Sequence, residues 1–255
     1  MLSIIIVNYN TFKSTVDCID SILSSNLKDI IYEIIIIENN FTNNKYKFTQ
    51  KNIKVVSMND NKGYSKALNF GISISSYDYI LAINPDVIVF ENSILDIFNY
   101  YIRNNHIGII GPKVINTNCT FQISSRRRFP YFRYLLPYFF KLHKLGFNNY
   151  YNYEEQSNDE ILKVDSISGC FTLFSKYIYE KVGIFDERFF LYFEDTDYCI
   201  RSTILGYDVV YYPTSVIKHK KYNSRNLKNY LFVKFHFYKS FFKFFIKYSN
   251  YYLKF

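Results

Sequence analysis

The chain reads as an α/β protein built on an open, mainly parallel sheet with helices on both faces. Short apolar runs of the kind buried on both sides of a parallel sheet alternate with segments of helical apolar spacing through the first 104 residues. The strand ends are also polar, and ligands of open α/β sheets bind outside the carboxyl ends of the strands.

SIIIVN at 3–8 is the first strand, and 11–25 carries Val16, Ile19, Ile22 and Leu23 at helical spacing. IYEIIIIE at 31–38 is the second strand. IKVVSM at 53–58 is the third and leads through the turn NDNKG into a helix over 64–75. YDYILAIN at 77–84 is the fourth; Asn84-Pro85-Asp86 ends it, and a helix over 93–104 follows. IGIIGPKVIN and CTFQISS, within 107–125, read as two strands of a mixed region. SRRRFP at 125–130 opens an aromatic stretch, 131–153, with no assignable pattern. KVDSISGCFTLFS at 163–175 alternates as a strand around Gly169, where a missing side chain admits close approach by a ligand or backbone. A short helix over 176–183 stops at Gly183, and YDVVYYP and SVIKH supply two last strands. From Ser224 the tail is a helix with Leu227, Leu231, Phe235, Tyr238 and Phe242 at i+3 or i+4 steps.

A chain of 255 residues can bury a sizeable core, and 49% hydrophobic with 21% aromatic residues excludes the disordered class. Cys18, Cys119, Cys170 and Cys199 form neither a C-x-x-C pair nor a zinc spacing, which predicts free thiols in a reducing compartment. MLSIIIVNYN enters a strand at once, with no basic n-region or cleavage site, so no signal peptide is expected. No apolar run reaches the roughly 18 residues of a membrane span. A cytoplasmic protein is expected. The net charge of +9 is uneven: no acid follows Asp208, whereas Lys218, Lys220, Lys221, Arg225, Lys228, Lys234, Lys239, Lys243, Lys247 and Lys254 do. The chain therefore divides into a body, 1–221, and a basic aromatic tail, 222–255.

Asn8, Tyr9 and Asn10 follow the first strand, Glu38, Asn39 and Asn40 the second, Asn59 to Gly63 the third, and Asn84 and Asp86 the fourth. Some of these cap helices and make turns. The sharper signal is FDERFFLYFEDTDYCIR at 185–201, where Glu194, Asp195 and Asp197 crowd behind Phe189, Phe190, Tyr192 and Phe193. Like charges repel and carboxylates beside buried rings are costly to desolvate, so the arrangement suits a site that uses negative charge. A helix carrying Cys199, Ile200, Thr203 and Ile204 and stopped at Gly206 puts Asp195 in its first turn. There the dipole favours the ionised form that a general base needs. A capped surface helix with an Asp197 to Arg201 ion pair is the plainer alternative.

IIIVNYN, IIIIENN, NDNKGYSKALNFGI, YILAINPD, VDSISGCFTLFSK, IFDERFFLYFEDTDYCIR and GYDVVYYPTSVIKH resemble, in order and spacing from Ser3 to about His219, the inverting glycosyltransferases of family 2. These have the GT-A fold, and the resemblance is to the bacterial rhamnosyltransferase-like members that build surface polysaccharide. It implies a metal-dependent, inverting transfer from a nucleotide-sugar to a hydroxyl of a saccharide or lipid-linked saccharide. The nucleotide-sugar half would occupy about 1–112 and the acceptor half about 113–221. Asn8, Tyr9 and Glu38 would contact base and ribose, Glu38 standing where the family usually has Asp. Asn84-Pro85-Asp86 stands where the family places a D-x-D motif, which leaves Asp86 as the ligand of Mg²⁺ or Mn²⁺ beside Asn84. His219 matches a position that completes the metal site in some members; a histidine ending a strand is as readily structural. Asp195 matches the catalytic base, with Glu194 and Asp197 orienting or supporting it. Asn61, Gly63 and Lys66 either bring a helix N-terminus to the phosphates or form a tight turn.

A dinucleotide-dependent oxidoreductase is disfavoured, because no G-x-G-x-x-G follows the first strand. A non-catalytic peripheral membrane or polyanion-binding protein would leave the acidic stretch and Asp86 unexplained. An acidic site also repels a nucleic acid backbone, and no nucleic acid partner is expected. The tail either docks on the sheet as a last core helix or lies on an anionic membrane, its lysines snorkelling while its rings settle at head-group depth. The second use would place the protein on the inner face of the cytoplasmic membrane.

Overall fold

A computed structural model describes residues 1–40, 46, 48–131, 133–135, 150–220 and 227–252. Its strands are β1 (Leu2–Asn8), β2 (Tyr32–Glu38), β3 (Ile53–Ser57), β4 (Tyr79–Ile83), β5 (Val87–Val89), β6 (Ile107–Ile115), β7 (Arg126–Arg127), β8 (Leu162–Lys163), β9 (Ser166–Ile167), β10 (Phe171–Ser175) and β11 (Asp208–His219). Its helices are α1 (Phe12–Leu23), α2 (Tyr64–Ser73), α3 (Ser93–Ile102), α4 (Lys176–Val182), α5 (Glu194–Ile204), α6 (Leu227–Lys247) and α7 (Ser249–Tyr252).

The main sheet runs β3-β2-β1-β4-β10-β6-β11-β5, with β8 on β11, and β7 pairs β9 separately. β3, β2, β1 and β4 are mutually parallel, so their carboxyl ends share one edge, while β10 enters antiparallel between β4 and β6. The isoleucine runs of β1 and β2 explain the layering. Alternate side chains of a strand face opposite sides, so Ile4, Ile6, Ile34 and Ile36 join a core with Cys18, Ile19 and Ile22 of α1 and Ile94 and Ile97 of α3. Ile5, Val7, Ile35 and Ile37 join a second core with Ala67 and Leu68 of α2, Ile178 of α4 and Tyr198 of α5. Polar strand-breaking residues would destroy one core or the other, which is why the runs are uninterrupted.

Four departures from the sequence reading bear on the site. β5 was not legible as a strand: three residues after Asn84-Pro85-Asp86 pair antiparallel with β11, which sets His219 opposite Val87. CTFQISS is not a strand but a turn, in which Asn116 N–H donates to Thr120 O at 2.8 Å, a single bridge from Phe121 to Ile115, and a helical turn at Ile123–Ser125. The segment 163–175 is three strands, broken around Gly169. YDVVYYP and SVIKH are one strand, β11, whose register on β6 slips between Tyr212 and Val216, where Pro213 has no N–H to donate.

α6 docks by one face. Phe244 and Tyr248 are buried with Phe129, Phe189 and Ile200, and Ser240 Oγ donates to Leu191 O at 2.8 Å. Lys247 reaches Asp186 at 2.8 Å and also pairs with Asp197, and Lys243 Nζ donates to Arg188 O at 2.7 Å. Those two lysines therefore turn inward and do not snorkel. Leu231, Phe235, Tyr238, Phe242 and Ile246 are exposed on the other face, with Lys234 and Lys239. Lys221, Arg225, Lys254 and the side chain of Lys228 lie outside the described residues, as does most of 131–153. Among the described residues no helix is long and apolar enough to cross a membrane, and all four cysteines are free.

Candidate active site

The parallel strand ends build one wall. Asn8 and Glu38 face each other across the β1–β2 register. Asn8 Nδ2 donates to Glu38 Oε1 at 2.7 Å, Tyr46 O–H donates to the same oxygen, and Asn8 Oδ1 accepts from Thr11 N at 3.0 Å. Both are buried, at 0% and 3% exposure, whereas Tyr9 is 44% exposed. Of the three residues expected to touch base and ribose, Asn8 and Glu38 are joined to each other below the surface and Tyr9 is the one that presents its side chain.

The turn after β3 is tied to the same edge by Asn39, which donates to Asn61 Oδ1 at 3.0 Å and Gly63 O at 3.1 Å. Gly63 has φ +86°, and a Cβ there would stand 2.8 Å from Phe190 O. That oxygen accepts from Tyr64 N at 2.8 Å, and Phe189 O accepts from Ser65 Oγ at 2.8 Å. The start of α2 thus leans on the acidic loop through Tyr64 N and Ser65 Oγ, contacts that belong to the tight-turn alternative for Gly63. Lys66 Nζ lies 4.0 Å from Glu187 Oε2. Asn61 and Gly63 make the tight turn that seats the loop.

Asp86 and His219 are brought together. β5 pairs with the end of β11, and Lys220 N donates to Asp86 O at 2.8 Å. His219 Nε2 then lies 3.2 Å from Asp86 Oδ1. Gln122 Nε2 donates to Asn116 Oδ1 at 3.1 Å, so its Oε1, 3.0 Å from His219 Nδ1, accepts the ring proton there. Nε2 therefore faces a carboxylate oxygen. A proton on Nε2 donated to Asp86, or a divalent cation between the two atoms, completes this arrangement, and an outer hydrogen bond on Nδ1 is what metal-bound imidazoles carry. Among the described residues no cluster of three or more His, Cys, Asp or Glu could hold a metal. A pair is nonetheless enough for Mg²⁺ or Mn²⁺ that takes its remaining oxygens from water and a diphosphate. Asn84 joins the edge by its backbone, with N–H donating to Cys170 O at 2.8 Å.

The acidic stretch forms the start of α5. Tyr192 and Phe193 both have positive φ, 67° and 69°, and this tight entry aims the first helical turn at Gly169. Asp195 Oδ2 accepts from Arg127 Nη2 at 2.7 Å and Gly169 N at 3.0 Å; Oδ1 accepts from Thr196 N at 2.7 Å and Thr196 Oγ1 at 3.2 Å. Burial alone would raise its pKa, but the Arg127 guanidinium and the Gly169 and Thr196 N–H donors more than offset this and hold it below the ordinary value. Glu194 is buried, its Oε2 has no hydrogen-bond partner among the described residues, and burial together with the Asp195 charge pushes its pKa up to about 8. Two adjacent carboxyls are thus driven apart, one toward the base form and one toward the acid form. Asp197 does not support them. It points to the far side of α5, where Arg201 Nε at 2.9 Å, Tyr248 O–H at 2.9 Å and Lys247 enclose it. The expected Asp197 to Arg201 ion pair is present, and the third acid belongs to the seat of the tail.

Sequence reasoning missed Arg127, Gln122 and Thr196. Of the three arginines of SRRRFP, Arg126 and Arg127 point to opposite sides of β7 and Arg128 follows it. Arg126 is buried under the carbonyls of Tyr153, Gln156 and Ser157, Arg128 pairs with Glu155, and only Arg127 faces Asp195.

The sheet with its antiparallel β10 is the GT-A fold, shared with the crystal structure of GalNAc-T7 with UDP, GalNAc and Mn²⁺ at a TM-score of 0.66 and 13% identity, over 88% of this chain and 44% of that one. The sequence pattern described as Glycosyl transferase family 2 matches residues 3–183, and the chain belongs to that family. It is 23% identical over 206 residues, 79% of its length and 61% of the relative's, to the low-salt glycan biosynthesis hexosyltransferase Agl10 of Haloferax volcanii. It is 22% identical to a poly-beta-1,6-N-acetyl-D-glucosamine synthase of Staphylococcus epidermidis, over 84% of this chain and 48% of that one. The chain thus spans roughly half to three fifths of these relatives.

Proposed function

We propose that the protein is a metal-dependent inverting glycosyltransferase that moves a hexosyl or deoxyhexosyl group from a nucleoside diphosphate sugar to a hydroxyl of a saccharide or lipid-linked saccharide in surface polysaccharide synthesis. The observation that carries this reading is the tie made by two consecutive residues. Gly169 N–H holds Asp195 Oδ2, and Cys170 O holds Asn84 N, so the base and the Asn84-Pro85-Asp86 segment are fixed to one strand start. Chemistry that breaks a sugar–phosphate bond needs those two functions side by side. Asp195 takes the proton from the acceptor hydroxyl as its oxygen bonds to the anomeric carbon, and the bond from that carbon to the diphosphate oxygen breaks, inverting the centre. The longest of its four donors, the Thr196 hydroxyl, is the one an acceptor hydroxyl replaces. Asp86 and His219 would hold Mg²⁺ or Mn²⁺, which would neutralise charge developing on the departing diphosphate. Tyr9 would offer its ring to the base, over a floor made by Asn8 and Glu38.

The family's rhamnosyltransferase-like group remains the source suggested for the donor type. The exposed row of α6, with Lys234 and Lys239 beside it, supports attachment to an anionic membrane surface that would bring the site to lipid-linked acceptors; each lysine would add about 1 kcal/mol. Incubation with UDP-, GDP- and dTDP-sugars, with Mn²⁺ or Mg²⁺ present or chelated, tests the main reading. Metal-dependent release of one nucleoside diphosphate is expected, and no turnover of any of them under either condition contradicts it.

A further inference from the structure

Arg127 is a part-buried cation to which the proposed reaction gives no step. β7 pairs antiparallel with β9, Arg127 opposite Ser166, and this two-stranded ribbon stands apart from the main sheet against the start of α5. Strand alternation sends Arg126 into the opposite side, where it stacks over Tyr211 at 4.7 Å and is spent on backbone carbonyls. Arg127 points the other way. Its Nη2 lies 2.7 Å from Asp195 Oδ2, 3.3 Å from Thr196 Oγ1, 3.3 Å from Ser166 Oγ and 3.2 Å from Ile167 O, and its Nε has no hydrogen-bond partner among the described residues. The shortest of these contacts, and the one to a charged group, is that to Asp195.

We infer that Arg127 is a positioning residue for the base: its guanidinium, 2.7 Å from Asp195 Oδ2, fixes that carboxylate against the Gly169 N–H. The inference rests on the glycosyltransferase reading for its purpose, and on the ion pair alone for its physics. The titratable groups around Asp195 are Arg127 of β7, Tyr64 of α2, Cys170 before β10, and Glu194 and Cys199 of its own helix. Of these only Arg127 is cationic. Glu194 supplies a like charge whenever it ionises, so without Arg127 the two carboxyls would compete for one proton, and Asp195 would lose its advantage. The arrangement costs the enzyme some basicity and returns a carboxylate that is always charged and always aimed.

The test is a ¹³C titration of aspartate carboxyls in the full chain without ligand, with the Asp195 signal assigned by its loss in Asp195→Asn. In the wild type Asp195 titrates below the ordinary range; in Arg127→Met it titrates about 1 to 3 pH units higher, and Arg127→Lys restores most of the difference. The acid limb of nucleotide-sugar hydrolysis moves in the same direction in Arg127→Met. Arg127→Gln replaces Met if that variant does not fold. An unmoved Asp195 titration in the neutral variant overturns the inference, and so does unfolding of both neutral variants, which would make Arg127 a purely structural residue. Because the titration needs no substrate, a failed base assignment would show separately, as wild-type hydrolysis by Asp195→Asn with the titration shift intact.

Discussion

Gly169 and Asp195 are in contact at two levels: the Gly169 N–H donates to Asp195 Oδ2 at 3.0 Å, and a Cβ at position 169 would stand 3.1 Å from Asp195 Cβ. The close approach and the hydrogen bond require each other, since the carboxylate reaches the amide only if nothing projects between them. Gly169→Ala is therefore expected to displace the carboxylate by a few tenths of an ångström and lower turnover about 10- to 100-fold, with donor binding little changed. Unchanged turnover would mean that the contact is incidental.

Glu194 predicts an unusual pH dependence of stability. Its folded-state pKa is about 8 against an ordinary 4.5, so between those values the folded protein binds a proton that the unfolded chain has lost. Stability attributable to this group is highest at the acid end and falls as pH rises toward 8. Glu194→Gln, which cannot ionise, should raise the melting temperature more at pH 8 than at pH 5, with a stabilisation at pH 8 on the order of 1–3 kcal/mol. Equal effects at both pH values would mean that the carboxyl is not held neutral.

Asp86 and His219 are tested by ligand choice. Asp86→Ala should weaken Mn²⁺-dependent binding of a nucleoside diphosphate by about tenfold or more, while binding of the free nucleoside changes little, because the cation bridges protein and phosphate. Titration of both ligands by calorimetry reads the difference. Equal weakening of the two would assign Asp86 to the turn between β4 and β5 alone.

The two faces of α6 separate by substitution better than by truncation. Removing the helix would uncover Phe189 and Ile200 and take Lys247 and Tyr248 from the buried Asp197. Phe244→Ala, at a fully buried position, should cost about 3–5 kcal/mol of stability. Phe235→Ser with Phe242→Ser and Ile246→Ser should leave the melting temperature nearly unchanged and abolish sedimentation with anionic liposomes at low salt. Undiminished sedimentation of the triple variant would rule out this face as the lipid contact.

The sheet was legible because buried parallel strands write themselves as unbroken Ile runs, and the site's edge was legible because strand ends carry Asn and Asp. Asp195 could be placed from three acids behind four rings. What the sequence hid were relations between distant segments. No local pattern states that Arg127, and not Arg126 or Arg128, meets Asp195, because that depends on which side of a two-residue strand faces α5. The i,i+4 spacing did pair Asp197 with Arg201, but no pattern states that this side of α5 meets Lys247 and Tyr248 of the tail. β5 is three residues long, and only its pairing with β11 makes it a strand and sets His219 beside Asp86.

The central claim is that Asp195 removes the acceptor proton, and Asp195→Asn tests it most directly, since it deletes the base without changing side-chain volume. Turnover of the nucleotide-sugar that the wild type accepts should be measured beside calorimetric binding of the matching nucleoside diphosphate. The account predicts turnover lower by about 10² to 10⁴-fold with binding nearly intact. Turnover above about half the wild-type rate, with binding unchanged, would contradict it.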